Sequence, residues 1–261
     1  MKGAYVIARH EFVRRWPLVL VGLVLGLVSL LFARHDLVEV TRFSDMLVTI
    51  SVVVCWVIAF TTGLSLIGRP LHDGRLTFYF TRPITSSGIA IGKIAGGLVA
   101  ITCMHVVFML PLAGVFPDLA EGGRDMEKAA TFVGIAFFVV GLVVGILARS
   151  RSRWFVVDIA GAAAAAIVAV GMFGGFGARK AAIAQFEVDP DAAQVLIHRA
   201  DTFLYALVVA AAIALVVSVV VAIARGRTDR DLVHRGLSVT LWPALVGIGL
   251  VGLGLAHWGL R

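Results

Sequence analysis

The chain reads as an all-α, multi-pass integral membrane protein, and three observations carry that expectation. Apolar residues fill 60% of the 261 positions and charged residues only 15%, with a mean hydropathy of +0.98. So little polar surface cannot clothe a domain in water, so the solvent is lipid. The apolar residues are gathered into seven runs, each suited to a hydrocarbon core about 30 Å thick. The lysines and arginines recur in short clusters between those runs, which is how membrane topology is written. The net charge of +7 therefore needs no nucleic-acid partner. The two cysteines, Cys55 and Cys103, lie inside apolar runs and are too few for a disulfide framework.

Residues 1–16 form an amphipathic lead-in. Tyr5, Ala8 and Phe12 share one helical face, and Glu11 precedes Arg15 by four residues, the favourable order for an acid–base pair. Such a helix lies in the interface before the chain turns inward. The first apolar run starts only at Pro17 and lacks a small-residue cleavage pattern, so no cleavable signal is expected. The seven spans are expected at 17–33, 46–68, 89–116, 129–148, 154–176, 202–224 and 237–258. Pro111 can kink the third. Gly161 and the alanines after it offer the fifth a close-packing face. The spacings Gly22–Gly26, Gly88–Gly92, Gly92–Gly96 and Gly141–Gly145 fit small-residue contacts between membrane helices. With the N-terminus inside, 15 of the 23 lysines and arginines fall on the inner side and about 11 of the 16 acids on the outer. Seven spans then leave the C-terminus outside. The outer segment 177–201 reads either as a helical hairpin, with Asp189-Pro190-Asp191 opening its second arm, or as a plain polar loop.

Residues 69–93 are the longest non-lipophilic interruption in the first half of the chain. Leu76, Tyr79 and Phe80 fall at i, i+3 and i+4, one apolar face of a short helix, with Arg75 and Arg82 on other faces. Pro83 disfavours helical geometry at the residue before it, so the helix should end by Arg82. The chain restarts through Thr85, Ser86, Ser87 and Gly88. A short amphipathic helix on the positive side of a membrane is either a grip for a soluble partner or a helix resting on lipid headgroups. Spacing alone leaves both open.

Few ionisable residues enter the spans, and each is a functional candidate. His105 lies midway along the third span, where a substrate contact or proton relay competes with an imidazole bonded to a neighbouring helix. Asp158 sits one turn inside the fifth, close behind Arg151 and Arg153, which points to an interfacial ion pair. Lys93, one turn into the third, can snorkel to the surface. Enzyme motifs fail. His10-Glu11 lacks the second histidine of a zinc site. Gly88 to Lys93 is one residue short of a phosphate loop, and Ile94 stands where a Ser or Thr would meet magnesium. No nucleotide or metal site is expected on this chain.

The run Gly74-Arg75-Leu76-Thr77-Phe78-Tyr79-Phe80-Thr81-Arg82-Pro83-Ile84-Thr85, followed by Ile89-Ala90-Ile91-Gly92-Lys93, resembles the cytoplasmic signature of type-2 ABC export permeases. Ala8-Arg9-His10-Glu11-Phe12 is similar to that family's elbow. The match in sequence is confined to these two stretches, while the order of elements agrees from residue 1 to about 225. The resemblance implies an exporter-type six-span permease core. It makes the segment from Asp73 to Arg82 (Asp73, Gly74, Arg75, Leu76, Tyr79, Phe80 and Arg82, closed by Pro83) a coupling helix that docks into a separate ATPase subunit. It further implies a second permease chain, ATP and Mg²⁺ held by the partner ATPase, residence in the cytoplasmic (inner) membrane, and an outer helical gate at 177–201. The seventh span departs from the pattern and is expected as an accessory helix or a tether. Domains follow as elbow 1–16, permease 17–225, and linker with extra span 226–261. A membrane scaffold without transport activity is the alternative reading. The few polar residues of the spans (Thr49, Ser51, Thr61, Thr62, Thr102, His105) tilt the cargo towards a hydrophobic or lipid-like one.

Overall fold

The computed structural model describes residues 2–35, 41–73, 85–113, 117–148, 154–185, 190–226 and 229–259. Among these, all regular structure is helical: α1 (Lys2–His35), α2 (Thr41–Leu66), α3 (Gly68–His72), α4 (Ser86–Ala113), α5 (Pro117–Leu147), α6 (Phe155–Gln185), α7 (Pro190–Gly226) and α8 (Arg230–Gly254), closed by a π-helical turn, Leu255–Gly259. Among the described residues, six stretches are long and apolar enough to cross a bilayer: Gly3–Leu31, Val48–His72, Ser86–Pro111, Val156–Ile183, Asp191–Arg225 and Asp231–His257. The shorter apolar helix Thr131–Leu147 stands where the fourth span is expected. Their outward faces are apolar. Ile167 and Val170 of α6 are each 73% exposed, as suits helices that face hydrocarbon. The protein is thus a multi-pass, all-α membrane protein. The helices form two compact units, Met1–Ser150 and Arg151–Arg261.

In the first unit α1 and α4 run parallel along their whole length. Gly92 packs under Ala4 and Ile7, Gly96 under Ala8, and further along Gly22 and Gly26 meet the backbone of Met104 and Phe108. A methyl group at Gly96 would lie 2.4 Å from the Ala8 carbonyl oxygen, so these glycines set how closely the axes approach. The helices α2 and α5 repeat the arrangement, with Gly141 against Phe60 and Gly145 against Leu64. A chain that crosses a membrane four times must place spans one and three parallel, and two and four parallel. The paired glycines marked sites of close contact, and the structure supplies their partners. Phe108, Phe138, Met104 and Leu142 fill the centre, and Ser29 and Ser51 share a hydrogen bond of 3.2 Å between α1 and α2.

The elbow differs from expectation in two respects. Residues 2–16 are continuous with the first span, since α1 runs unbroken through Pro17. Its buried face is Ile7 and Glu11, while Tyr5 is 70% exposed. Periodicity located an apolar face, but the side of α1 that meets the glycines of α4 carries Ala4, Ile7, Ala8 and Glu11.

In the second unit α6 and α8 run parallel, with Gly161 beneath the Trp242 ring, Gly249 against Val168 and Gly252 against Met172. The antiparallel α7 packs on α8, where Ala222 meets Gly236. Within this unit the helix of the expected seventh span packs against both others. Val233, Leu237 and Leu241 of α8 are fully buried, and both other helices rest on it. In the segment expected on the outer side, α6 runs on to Gln185 and α7 starts at Pro190, a favoured first helical position for proline. Lys180 and Asp201 form an ion pair between the two arms, in line with the helical-hairpin alternative.

Candidate functional site

The stretch singled out as a coupling helix is described only at its edges. Gly74, Arg75, Leu76, Tyr79, Phe80, Arg82 and Pro83 lie outside the described residues. At the near edge, α2 ends at Leu66, the chain bends at Ile67, and α3 carries it to His72. Gly68 permits the bend to sit on α5, because a methyl group there would lie 2.2 Å from the Gly145 carbonyl oxygen. Leu71 is buried, while Arg69 and Asp73 face outward as an i,i+4 ion pair of 3.8 Å. At the far edge the Thr85 hydroxyl accepts a hydrogen bond from the Gly88 amide at 3.2 Å, an N-cap for α4. Both ends of 74–84 are thereby fixed to spans. Replacing Gly68 with leucine should cost about 1–3 kcal/mol by overpacking, read as a lowered midpoint of thermal unfolding; an unchanged midpoint would show that α3 is free of α5.

Lys93 does not snorkel. It is 2% exposed, and its Nζ is bonded to the Glu11 carboxylate of α1, itself 1% exposed. Arg15 lies 3.5 Å from the other carboxylate oxygen, so the i,i+4 pair read from the sequence is present as part of a larger cluster. Gly92 explains the burial: with no side chain there, α1 comes close enough to cover the lysine. In hydrocarbon an unpaired charge is costly, so a nearby carboxylate competes well with a path to the surface.

The second cluster was only half visible. Asp158 is 5% exposed, and its carboxylate turns to α8. Oδ1 accepts from the Ser238 hydroxyl at 2.6 Å and the Trp242 indole at 2.9 Å, and Oδ2 is bonded to His234 Nε2. Arg151 and Arg153, the expected partners, lie outside the described residues; the carboxylate is engaged by α8. His234, Ser238 and Trp242 are spaced i, i+4 and i+8, so one stripe of one helix converges on one acid. That spacing is present in the sequence, but His234 lies three residues ahead of the expected seventh span, in the stretch expected as linker. The Ser238 hydroxyl serves the carboxylate and not the imidazole, so the trio lacks the Ser–His order of a nucleophilic site.

His105 is 2% exposed, and its Nδ1 lies 2.9 Å from the Ile101 carbonyl of its own helix, instead of bonding a neighbouring helix. Its Nε2 has no hydrogen-bond partner among the described residues, and the ring fills the space that Gly134 leaves on α5. Gly134→Ala should therefore displace the ring and cost about 1–3 kcal/mol. His105→Leu, of similar bulk and without polar atoms, should keep the unfolding midpoint close to that of the unaltered protein. A fall as large as that of Gly134→Ala would mean that the imidazole holds a structural hydrogen bond. Of the other polar span residues, Thr61 spends its hydroxyl on Val57 and Ile58 of its own helix, and Ser51 on Ser29.

No protein-family model matches this chain, and neither the curated proteins nor the solved structures contain a match. The residues themselves must carry the functional reading.

Proposed function

We propose that this chain is the permease subunit of an ABC-type exporter. It pairs with a second permease chain in the cytoplasmic membrane, and a separate ATPase binds ATP and Mg²⁺. One observation supports this best. The two stretches that resemble type-2 export permeases, the elbow and Gly92-Lys93, are 82 residues apart at their ion pair and meet face to face, Glu11 on Lys93 and Ala8 on Gly96. Residues 69–93 are thus held at both ends, by Leu71 and by Lys93. A lever that transmits force from a soluble motor needs such anchorage, whereas a helix resting on headgroups does not.

In this reading Asp73 to Arg82 docks into the ATPase, with Leu76, Tyr79 and Phe80 as its apolar contact and Arg75 and Arg82 at its rim. The cargo moves outward or out of the inner leaflet, and the apolar spans favour a hydrophobic one. The test is co-purification with the ATPase encoded beside this chain. The unaltered protein should retain the ATPase and stimulate hydrolysis, and Phe80→Glu or Arg82→Glu should abolish both while leaving the permease folded. Retention and stimulation unaffected by either substitution would overturn the docking assignment. Failure of the unaltered chain to bind any such ATPase would favour a scaffold without transport.

A further inference from the structure

The end of α7 and the start of α8 hold a second, independent feature. A groove of about 270 Å³ opens between the end of α7 and the start of α8, lined by Arg225, Leu232, Arg235, Gly236, Val239 and Thr240. Its floor is apolar in effect. Leu232 and Val239 are about half exposed, Gly236 contributes no side chain, and Thr240 spends its hydroxyl on the carbonyls of Gly236 and Leu237 at 2.8 and 3.1 Å. Its mouth is cationic. Neither Arg225 nor Arg235 has a carboxylate within ion-pair distance among the described residues. The nearby Asp229 is committed to its own helix, accepting from the amides of Asp231 and Leu232 at 2.9 and 3.2 Å. The Arg235 guanidinium stacks over Trp154 at 5.3 Å, which limits its rotamers and holds it at the interface where such aromatic rings sit.

We propose that this groove is a binding site for an anionic phospholipid of the surrounding bilayer, with the headgroup phosphate between Arg225 and Arg235 and an acyl chain along Leu232, Gly236 and Val239. Two features select this occupant. Guanidinium groups match phosphate oxygens in a bidentate fashion, and an apolar floor continuous with a membrane span accepts hydrocarbon, not a solvated anion. A zwitterionic headgroup fits less well, because its choline would meet two arginines. Basic pockets between spans are a general place for acidic headgroups. The proposal needs only that the chain spans a membrane, so it stands apart from the ATPase-docking reading.

The test uses the full chain in phosphatidylcholine vesicles doped with acyl-chain spin-labelled phosphatidylglycerol or phosphatidylcholine, reading the motionally restricted fraction of each. The unaltered protein should favour phosphatidylglycerol, by roughly fivefold for each arginine that meets the phosphate. Arg225→Gln/Arg235→Gln should remove that preference, and Arg225→Lys/Arg235→Lys should keep part of it. Arg9→Gln/Arg14→Gln, which removes two exposed arginines of the first unit, should leave it intact. If the glutamine pair fails to fold, Val239→Trp fills the groove without touching the charges and should also release the restricted lipid. Four results would overturn the proposal: equal restriction of the two lipids by the unaltered protein, a preference that survives both the glutamine pair and Val239→Trp, an equal loss in the Arg9/Arg14 variant, or abolition of the preference by millimolar inorganic phosphate, which would mark a free-anion site.

Discussion

Lys93→Met should be among the most damaging single substitutions in the first unit. It strands the Glu11 carboxylate, 1% exposed, in a helix seam too narrow for water. Breaking a buried ion pair by removing one partner costs about 3–5 kcal/mol. Arg15, at 3.5 Å from the second oxygen, recovers part of that, so the lower end of the range is expected. The methionine keeps the packing volume, so a cavity does not confuse the reading. The companion Glu11→Leu/Lys93→Met removes both charges and should restore most of the loss, because a buried pair replaced by apolar groups is often neutral. Thermal unfolding of the unaltered protein, Glu11→Leu, Lys93→Met and the double variant in one detergent gives the coupling as a double-mutant cycle. An unaltered midpoint for Lys93→Met would mean that the lysine reaches the surface after all. The same variants bear on function, since the pair fixes one end of residues 69–93. In the proposed exporter, Lys93→Met should reduce stimulation of ATP hydrolysis more than it reduces ATPase binding.

Asp158→Leu should have a comparable effect in the second unit, for a different reason. It leaves three donors, His234, Ser238 and Trp242, without their acceptor. Individual hydrogen bonds between membrane helices average about 0.6 kcal/mol, with maxima near 1.7. Ser238→Ala alone should therefore be mild, a few degrees at most in the unfolding midpoint. Asp158→Leu loses all three bonds at once and should exceed the sum of Ser238→Ala and Trp242→Phe, because it also leaves the buried imidazole of His234 unpaired on that side. His234→Leu, which takes the partner of Oδ2 away from the buried carboxylate, should be as severe. The combination Asp158→Leu/His234→Leu should recover part of the loss. Amide hydrogen exchange of residues 230–242 gives a local check: it should quicken in Asp158→Leu and stay near the original in Ser238→Ala. Equal exchange in both would make the cluster a passive contact of packed helices.

Composition and run length made an all-α, multi-pass membrane protein legible in the sequence itself. In a bilayer the backbone must satisfy its hydrogen bonds within each segment, so a chain of this hydropathy has few choices beyond helices, and their approximate spans follow from the runs. The glycine spacings also spoke truly: Gly22–Gly26, Gly92–Gly96 and Gly141–Gly145 each mark a place where another helix's backbone comes close. The carbonyl opposite each glycine is a tertiary fact, and spacing cannot name it.

Other details belonged to the fold alone. Lys93 could be read locally as a snorkelling lysine, because nothing near it in sequence forbids that; Glu11, 82 positions away, takes the charge only because Gly92 and Gly96 bring α1 within reach. Asp158 could be read against Arg151 and Arg153 because they are its neighbours along the chain. Its engaged partners are 76 to 84 residues distant, set there by two parallel helices in register. Hydropathy and charge act residue by residue and are legible in one dimension. Which buried acid meets which base depends on the register between helices, and packing in three dimensions decides that.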